Sequence, residues 1–208
     1  DMPGIHVEDR GYQFADGVYE VCAVHNTRLI DEDAHFDRLE RSLAELGIVA
    51  PMSRAAMKIV VSETLARNRI RNGIVYMQVT RGVATRDHNY PAGLKPVLVV
   101  TARHTNPARR ASVLRDGISV VTVPDQRWAR CDIKSISLLP NVLARQTAKD
   151  KGVQEAWQVA ADGLVTEGAA TNAWIVDSAG ILRTSPANGG ILNGIVRKTI
   201  IGLLDELG

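Results

Sequence analysis

One lysine stands out for what its surroundings would make it do. Lys134 lies in CDIKSISLLPNVLAR, residues 131–145, between an Asp-Ile pair and a Ser-Ile-Ser-Leu-Leu run. The neighbourhood is short of charge, and the residues after it read as the start of a helix. An amine at such a junction, beside apolar surface, loses the hydration that favours its ammonium form, which lowers its pKa. A deprotonated lysine can attack a carbonyl carbon and form an imine. The plainer reading is a lysine that lays its stem along an apolar surface and keeps its charge in water. The rest of the chain decides between the two.

The elements that would carry this lysine follow from hydrophobic periodicity. Val18–Val24 suits a strand buried on both faces, preceded by a turn-like Tyr12–Gly17, and Asn26-Thr27-Arg28 suits a hairpin returning through Leu29-Ile30. Phe36, Leu39, Leu43 and Leu46 recur at three- and four-residue steps, which predicts a helix over 31–47 with Asp31 or Asp33 at its start; Arg38 lies off that stripe. Ser53 is a good N-cap for a second helix to about Asn68. GIVYMQVT, 73–80, predicts a strand, and PVLVVT, 96–101, a β-branched run of the kind found at the centre of a sheet.

The polar, arginine-rich segment 104–116 marks a boundary between two lobes, 1–106 and 117–208. Beyond it, strands are predicted over 117–124, 155–160, 164–166, 172–176 and 181–184, with turns at Asp162-Gly163 and Ser178-Ala179-Gly180. Helices are predicted from about Leu139 or Asn141 to Lys151, and after Asn193-Gly194. Strand-rich and helical pieces alternate in both lobes, so the fold class is α+β, or mixed α/β.

The totals narrow the function classes. The chain has 208 residues, 45% hydrophobic and 23% charged, an ordinary globular composition. A net charge of +2 is too small to argue for nucleic acid or an anionic membrane. No apolar run approaches the ~20 residues that cross a bilayer. Cys22 and Cys131 lie far apart without metal-ligand spacing, so free thiols in a reducing cytoplasm are the default and no metal site is expected.

Four separated pieces then align with one family: RGYQFADGVYE from Arg10 to Glu20, His35-Phe36-Asp37-Arg38-Leu39, Cys131-Asp132-Ile133-Lys134-Ser135, and Val165-Thr166-Glu167-Gly168 with Asn172. Any one is weak; four in order are specific. Together they resemble the class IV aminotransferases, the pyridoxal-phosphate enzymes of fold type IV, and among these the D-amino-acid aminotransferases most closely. The resemblance implies a two-lobed fold, a small α/β lobe and a larger barrel-like lobe, and a homodimer with the cofactor between the lobes. It implies that Lys134 holds pyridoxal phosphate and shuttles a proton during transfer of an amino group from a D-amino acid to a 2-oxo acid such as 2-oxoglutarate.

Other roles also come from the resemblance, residue by residue. Glu167 matches the carboxylate at the pyridine nitrogen, where a nearby negative charge keeps the ring protonated; without the family it is a solvated carboxylate in a turn. Arg38 matches the phosphate-binding arginine, whose guanidinium suits phosphate oxygens; without the family it is an exposed helix charge paired with Glu40 or Glu45. Ile195 and Val196 offer the first free amides of the last helix to the phosphate, although Asn-Gly before a helix is more often a simple cap. Tyr19 matches a tyrosine lining the substrate site. Arg86 and His88 match an Arg-x-His pair that receives the substrate α-carboxylate; otherwise Arg86-Asp87-His88 is a solvated loop with a local ion pair.

Two departures from the family stand out. Gly168-Ala169-Ala170-Thr171 carries fewer hydroxyls than relatives do, and the chain stops at Gly208 where the family continues, so a longer natural protein is expected. The alternatives are a branched-chain L-aminotransferase or an aminodeoxychorismate lyase of the same family, and a non-catalytic protein that only binds the cofactor.

Overall fold

A computed structural model describes residues 4–207. Contacts divide the chain into two compact units. The first runs to Thr105 and takes back Ile133–Ser137; the second comprises Asn106–Asp132 and the chain from Leu138 onward. This partition differs from boundaries at 106 and 117 in two places. Residues 107–116 form a helix of the second unit, and the segment carrying Lys134 groups with the first.

The first unit begins with a short helix α1 (Arg10–Phe14), where a turn-like lead was predicted. Asp9 caps it by accepting from the Gly11 amide at 2.8 Å, and also accepts from the Thr80 hydroxyl at 2.9 Å. A Cβ on Gly11 would overlap Thr80, so the close approach demands glycine here. Strands β1 (Gly17–His25), β2 (Arg28–Leu29), β3 (Gly73–Thr80) and β4 (Val97–His104) form an antiparallel sheet in the order β2-β1-β3-β4. The β1–β2 hairpin turns through Asn26 and Thr27, both with positive φ, at the predicted place.

Helices α2 (Glu32–Glu45) and α3 (Arg54–Arg67) cover one face of this sheet. The core joins Val18, Cys22 and Val24 of β1, Val75, Met77 and Val79 of β3, Phe36, Leu39 and Leu43 of α2, and Met57, Val61 and Leu65 of α3. Alternation along β1 is therefore one-sided: residues 18, 20, 22 and 24 are buried, whereas Tyr19, Val21 and Ala23 are not fully so. That corrects the reading of a strand buried on both faces. PVLVVT is also corrected from a central to an edge strand, since β4 has β3 alone as a neighbour among the described residues. Its apolar character is accounted for on one side by Leu98, Val100 and Ala102, which pack on the core.

The second unit contains α4 (Pro107–Asp116), β5 (Val120–Pro124), α5 (Leu139–Asp150), β6 (Glu155–Val159), β7 (Val165–Gly168), β8 (Trp174–Val176), β9 (Leu182–Thr184) and α6 (Ile195–Leu207). β5 and β6 pair in parallel, with α5 within the crossover between them, and β7 adds antiparallel to β6. β8 and β9 form a separate hairpin. Ala144 and Ala148 of α5 pack on Ala156 and Ala169, with Val121, Val123 and Val153 around them. Small side chains let the helix lie close to the sheet.

Candidate active site

In the first unit, Lys134 is placed by backbone pairing. Its carbonyl accepts from the Tyr19 amide at 2.9 Å, Val18 bridges Ser135, and the Ile136 amide donates to the Gly17 carbonyl at 3.1 Å. The segment thus extends the sheet beside the start of β1. The alternation of an extended backbone turns Ile133 into the core and puts Lys134 on the same face as Tyr19. Its Nζ lies 4.4 Å from the centroid of the Tyr19 ring, which is stacked in turn on Tyr76 at 5.5 Å. Lys134 is half-buried, as a junction beside apolar surface predicts. The Ser42 hydroxyl of α2 accepts from the Lys134 amide at 3.4 Å.

Glu20, next to Tyr19, points to the opposite face and is fully buried in the core. An isolated carboxylate there would be prohibitively costly, and two side chains of α2 answer it. Arg38 donates from Nε to Oε1 at 2.6 Å and from Nη2 to Oε2 at 2.9 Å, and His35 Nδ1 lies 2.7 Å from Oε2. Burial pushes the Glu20 carboxyl up, but hydrogen bonds from Arg38 and His35, with the charges of Arg38 and Lys134, outweigh it and hold the group below the ordinary carboxylate range. Arg38 is therefore a buried cation facing β1, where the sequence left a surface pairing with Glu40 or Glu45 open.

Arg86 and His88 lie on the exposed loop between β3 and β4. The Arg86 guanidinium sits 4.7 Å from the Phe14 ring centroid, and the His88 ring is tilted against the same ring at 5.6 Å. Among the described residues Arg86 has no carboxylate partner, so a local ion pair within the loop is not what the structure shows.

In the second unit, Glu167 near the end of β7 is buried. Its carboxylate is ion-paired to Arg127, accepts from Asn172 Nδ2 at 2.9 Å, and accepts from the Leu192 amide at 3.1 Å. Arg127 is itself fixed by Asp125 at 2.6 Å and accompanied by Thr166. Burial raises Asp125, but the hydrogen bonds from Arg127 and Thr166 more than offset this and hold it below the ordinary carboxylate range. Asn172 also donates to the Leu192 carbonyl at 2.8 Å, which ties Glu167 to the approach to α6. A Cβ on Gly194 would run into the Asn172 carboxamide, so glycine lets that side chain sit against the entry to α6 without shifting. Ile195 and Val196 then present the first amides of a thirteen-residue helix, which lack acceptors within it.

These groups have the chemistry that pyridoxal phosphate requires. The first unit offers an amine at Lys134 and a cation at Arg38, groups of the kind that suit an aldehyde and a phosphate. The second unit, taken by itself, offers a buried carboxylate at Glu167 and a helix N-terminus at α6, groups of the kind that suit a ring N–H and a phosphate. The sequence passed over Glu20, His35 and Arg127. Glu20 was findable, since a carboxylate at an apolar position of β1 needs a cation across from it. Arg127 had no periodic signal, because it lies in a loop. The buried thiol of Cys22 is pushed up to about 12 and that of Cys131 to about 11, so neither is a thiolate near neutral pH.

A family model described as amino-transferase class IV matches residues 17–208. The D-alanine aminotransferase of Bacillus licheniformis is 43% identical over 205 residues, 98% of this chain and 71% of that protein. The D-alanine aminotransferase of Staphylococcus haemolyticus is 42% identical over 197 residues, 94% of this chain and 68% of that protein. The branched-chain amino acid aminotransferase of Escherichia coli superposes with a TM-score of 0.86 at 22% identity, covering 99% of this chain and 70% of that one. At that identity the likeness speaks for the fold alone.

Proposed function

We infer that this chain, which belongs to the class IV aminotransferases, transfers the amino group of D-amino acids such as D-alanine to a 2-oxo acid such as 2-oxoglutarate, with pyridoxal phosphate as cofactor. The observation that carries the D assignment is the 43% identity to a D-alanine aminotransferase across almost the whole chain. The exposed Arg86–His88 pair agrees with it, because a guanidinium without a carboxylate partner among the described residues can meet an α-carboxylate.

The cofactor, when bound, supplies an aldehyde for amines and a protonated ring that draws electron density from the substrate Cα. The remaining roles belong to this chain. Lys134 Nζ would hold the cofactor and, once freed by an incoming substrate amine, would serve as the base and acid that moves the substrate Cα proton. Tyr19 orients that amine by its ring, and the Tyr19–Lys134 backbone pairing fixes the amine's origin. Glu167, held by Arg127, Asn172 and Leu192, keeps a negative charge where the ring N–H would bind. For the phosphate, the candidate in the first unit is Arg38 and, in the second unit taken by itself, the amides of Ile195 and Val196. The same reading includes a homodimer and a cytoplasmic setting, in keeping with the free cysteines Cys22 and Cys131.

The test is amino transfer to 2-oxoglutarate from D-alanine against L-alanine. Transfer from D-alanine alone is expected. Equal use of both, or preference for L, removes the D assignment. Pyruvate released from aminodeoxychorismate without an acceptor points to the lyase. Cofactor binding with no half-reaction on any amino acid points to a binding protein.

A further inference from the structure

We propose that Arg10 and Phe14 are positioning residues for α-carboxylate recognition: Arg10 grips the backbone of the Arg86–Tyr90 loop from below, and Phe14 carries the Arg86 guanidinium on its ring. The inference rests on the reading of Arg86 and His88 as carboxylate binders and assigns the groups that make that reading possible.

Arg10 is 3% exposed, and a buried guanidinium needs a partner for nearly every N–H. Its Nε donates to Asp16 Oδ2 at 2.9 Å. Its two terminal nitrogens go to consecutive loop carbonyls: Nη1 to Asp87 O at 2.7 Å and Asn89 O at 3.5 Å, and Nη2 to His88 O at 3.2 Å. The loop itself is exposed from Thr85 to Gly93. It buries too little apolar surface to fix its own shape, so a planar fork reaching three carbonyls sets its course. Asp16 also accepts from Arg81 Nε at 2.8 Å, and Arg81 lies 3.8 Å from the centroid of the Tyr90 ring, which steadies the far end of the loop.

Phe14 completes the arrangement. Arg10 and Arg86 each lie 4.7 Å from the Phe14 ring centroid, and His88 is tilted against that ring. A guanidinium resting on an aromatic ring keeps its edge N–H groups available, and the edge is what a carboxylate binds bidentately. Because the clamp acts on an exposed loop, its loss should move the loop's side chains far more than the fold.

The test uses the holoenzyme with Arg10→Lys, Phe14→Leu and, as a control on the underlying reading, Arg86→Lys. A lysine ammonium cannot reach three carbonyls and Asp16 at once; leucine removes the ring while preserving bulk. For Arg10→Lys and Phe14→Leu, KM for D-alanine and for 2-oxoglutarate is expected to rise about tenfold while kcat stays within about threefold, and the visible spectrum of the bound cofactor is unchanged. If Arg86→Lys raises both KM values and the other two variants do not, the positioning role is wrong and the loop reading stands. If Arg86→Lys leaves KM unchanged, the loop reading itself fails. A fall in kcat without a KM change in both variants also overturns the proposal. Should Arg10→Lys not fold, Phe14→Leu at a half-buried position decides alone.

Discussion

Glu20 and Arg38 meet inside the first unit by two hydrogen bonds, Oε1 to Nε at 2.6 Å and Oε2 to Nη2 at 2.9 Å, on a strand face otherwise made of Val18, Cys22 and Val24. Glu20→Gln keeps the shape and removes the charge, which strands a buried arginine. Removing one partner of a buried ion pair costs about 3–5 kcal/mol. Urea unfolding of the variant should show a loss of that order; a loss below about 1 kcal/mol would mean that Arg38 finds another anion.

The same carboxylate sets part of the acid stability. Glu20 is held below its ordinary value of 4.5, so the folded state binds its proton less readily than the unfolded chain does. The stabilisation is complete above about 4.5 and is lost as pH falls through the lower folded value. Denaturant midpoints between neutral pH and pH 3 should decline in the wild type and decline less steeply in Glu20→Gln.

Replacing Lys134 by alanine removes the amine set over the Tyr19 ring. Amino transfer should drop by about a thousandfold or more, and the visible band of the bound cofactor should disappear. A band that survives unchanged shows that another amine holds the cofactor.

In the second unit, Arg127→Met takes its guanidinium away from Glu167, which keeps Asn172 and the Leu192 amide, and from Asp125, which keeps Thr166 and the backbone amide of residue 127. A stability loss of about 3–5 kcal/mol is expected, together with weaker retention of pyridoxal phosphate on dialysis. Undiminished retention would mean that Arg127 serves the fold and not the carboxylate.

Gly194→Ala places a methyl group against the Asn172 carboxamide. The carboxamide must shift, and it is the donor to Glu167 Oε2. We expect a stability loss of about 1–3 kcal/mol from overpacking and reduced cofactor affinity by equilibrium dialysis. A normal affinity would show that Asn172 adjusts without disturbing Glu167.

Much of this was legible in the chain, for physical reasons that differ by residue. The stripe of Phe36, Leu39 and Leu43 and the run GIVYMQVT gave helix and strand because periodicity is imposed by burial on one face. Ser53 was found as a cap because its hydroxyl accepts from Ala56 at 3.3 Å, a local bond. PVLVVT was misplaced to the sheet centre because composition reports burial of side chains, not the number of neighbouring strands. The helix at 107–116 carries no apolar stripe that its described side chains bury; Val113 and Leu114 are exposed. Arg38 was placed off the apolar row correctly, yet its burial depends on Glu20 from another element, a pairing that no local pattern encodes. The clamp of Arg10 on the Asp87–Asn89 carbonyls was invisible for the same reason.

The pairing of Ile133–Ser137 with the start of β1 has a consequence for how this protein comes into being. The hydroxyl that supports Lys134 lies 92 positions earlier in the chain, and the strand beside the lysine is earlier still. The strands and helix that receive the lysine, β1 and α2, therefore precede it in synthesis by about 90 residues or more. Any fragment starting after the first unit would carry that lysine without a place to put it. Docking of Lys134 is thereby tied to contacts between residues far apart in the chain, a slow kind of contact to form.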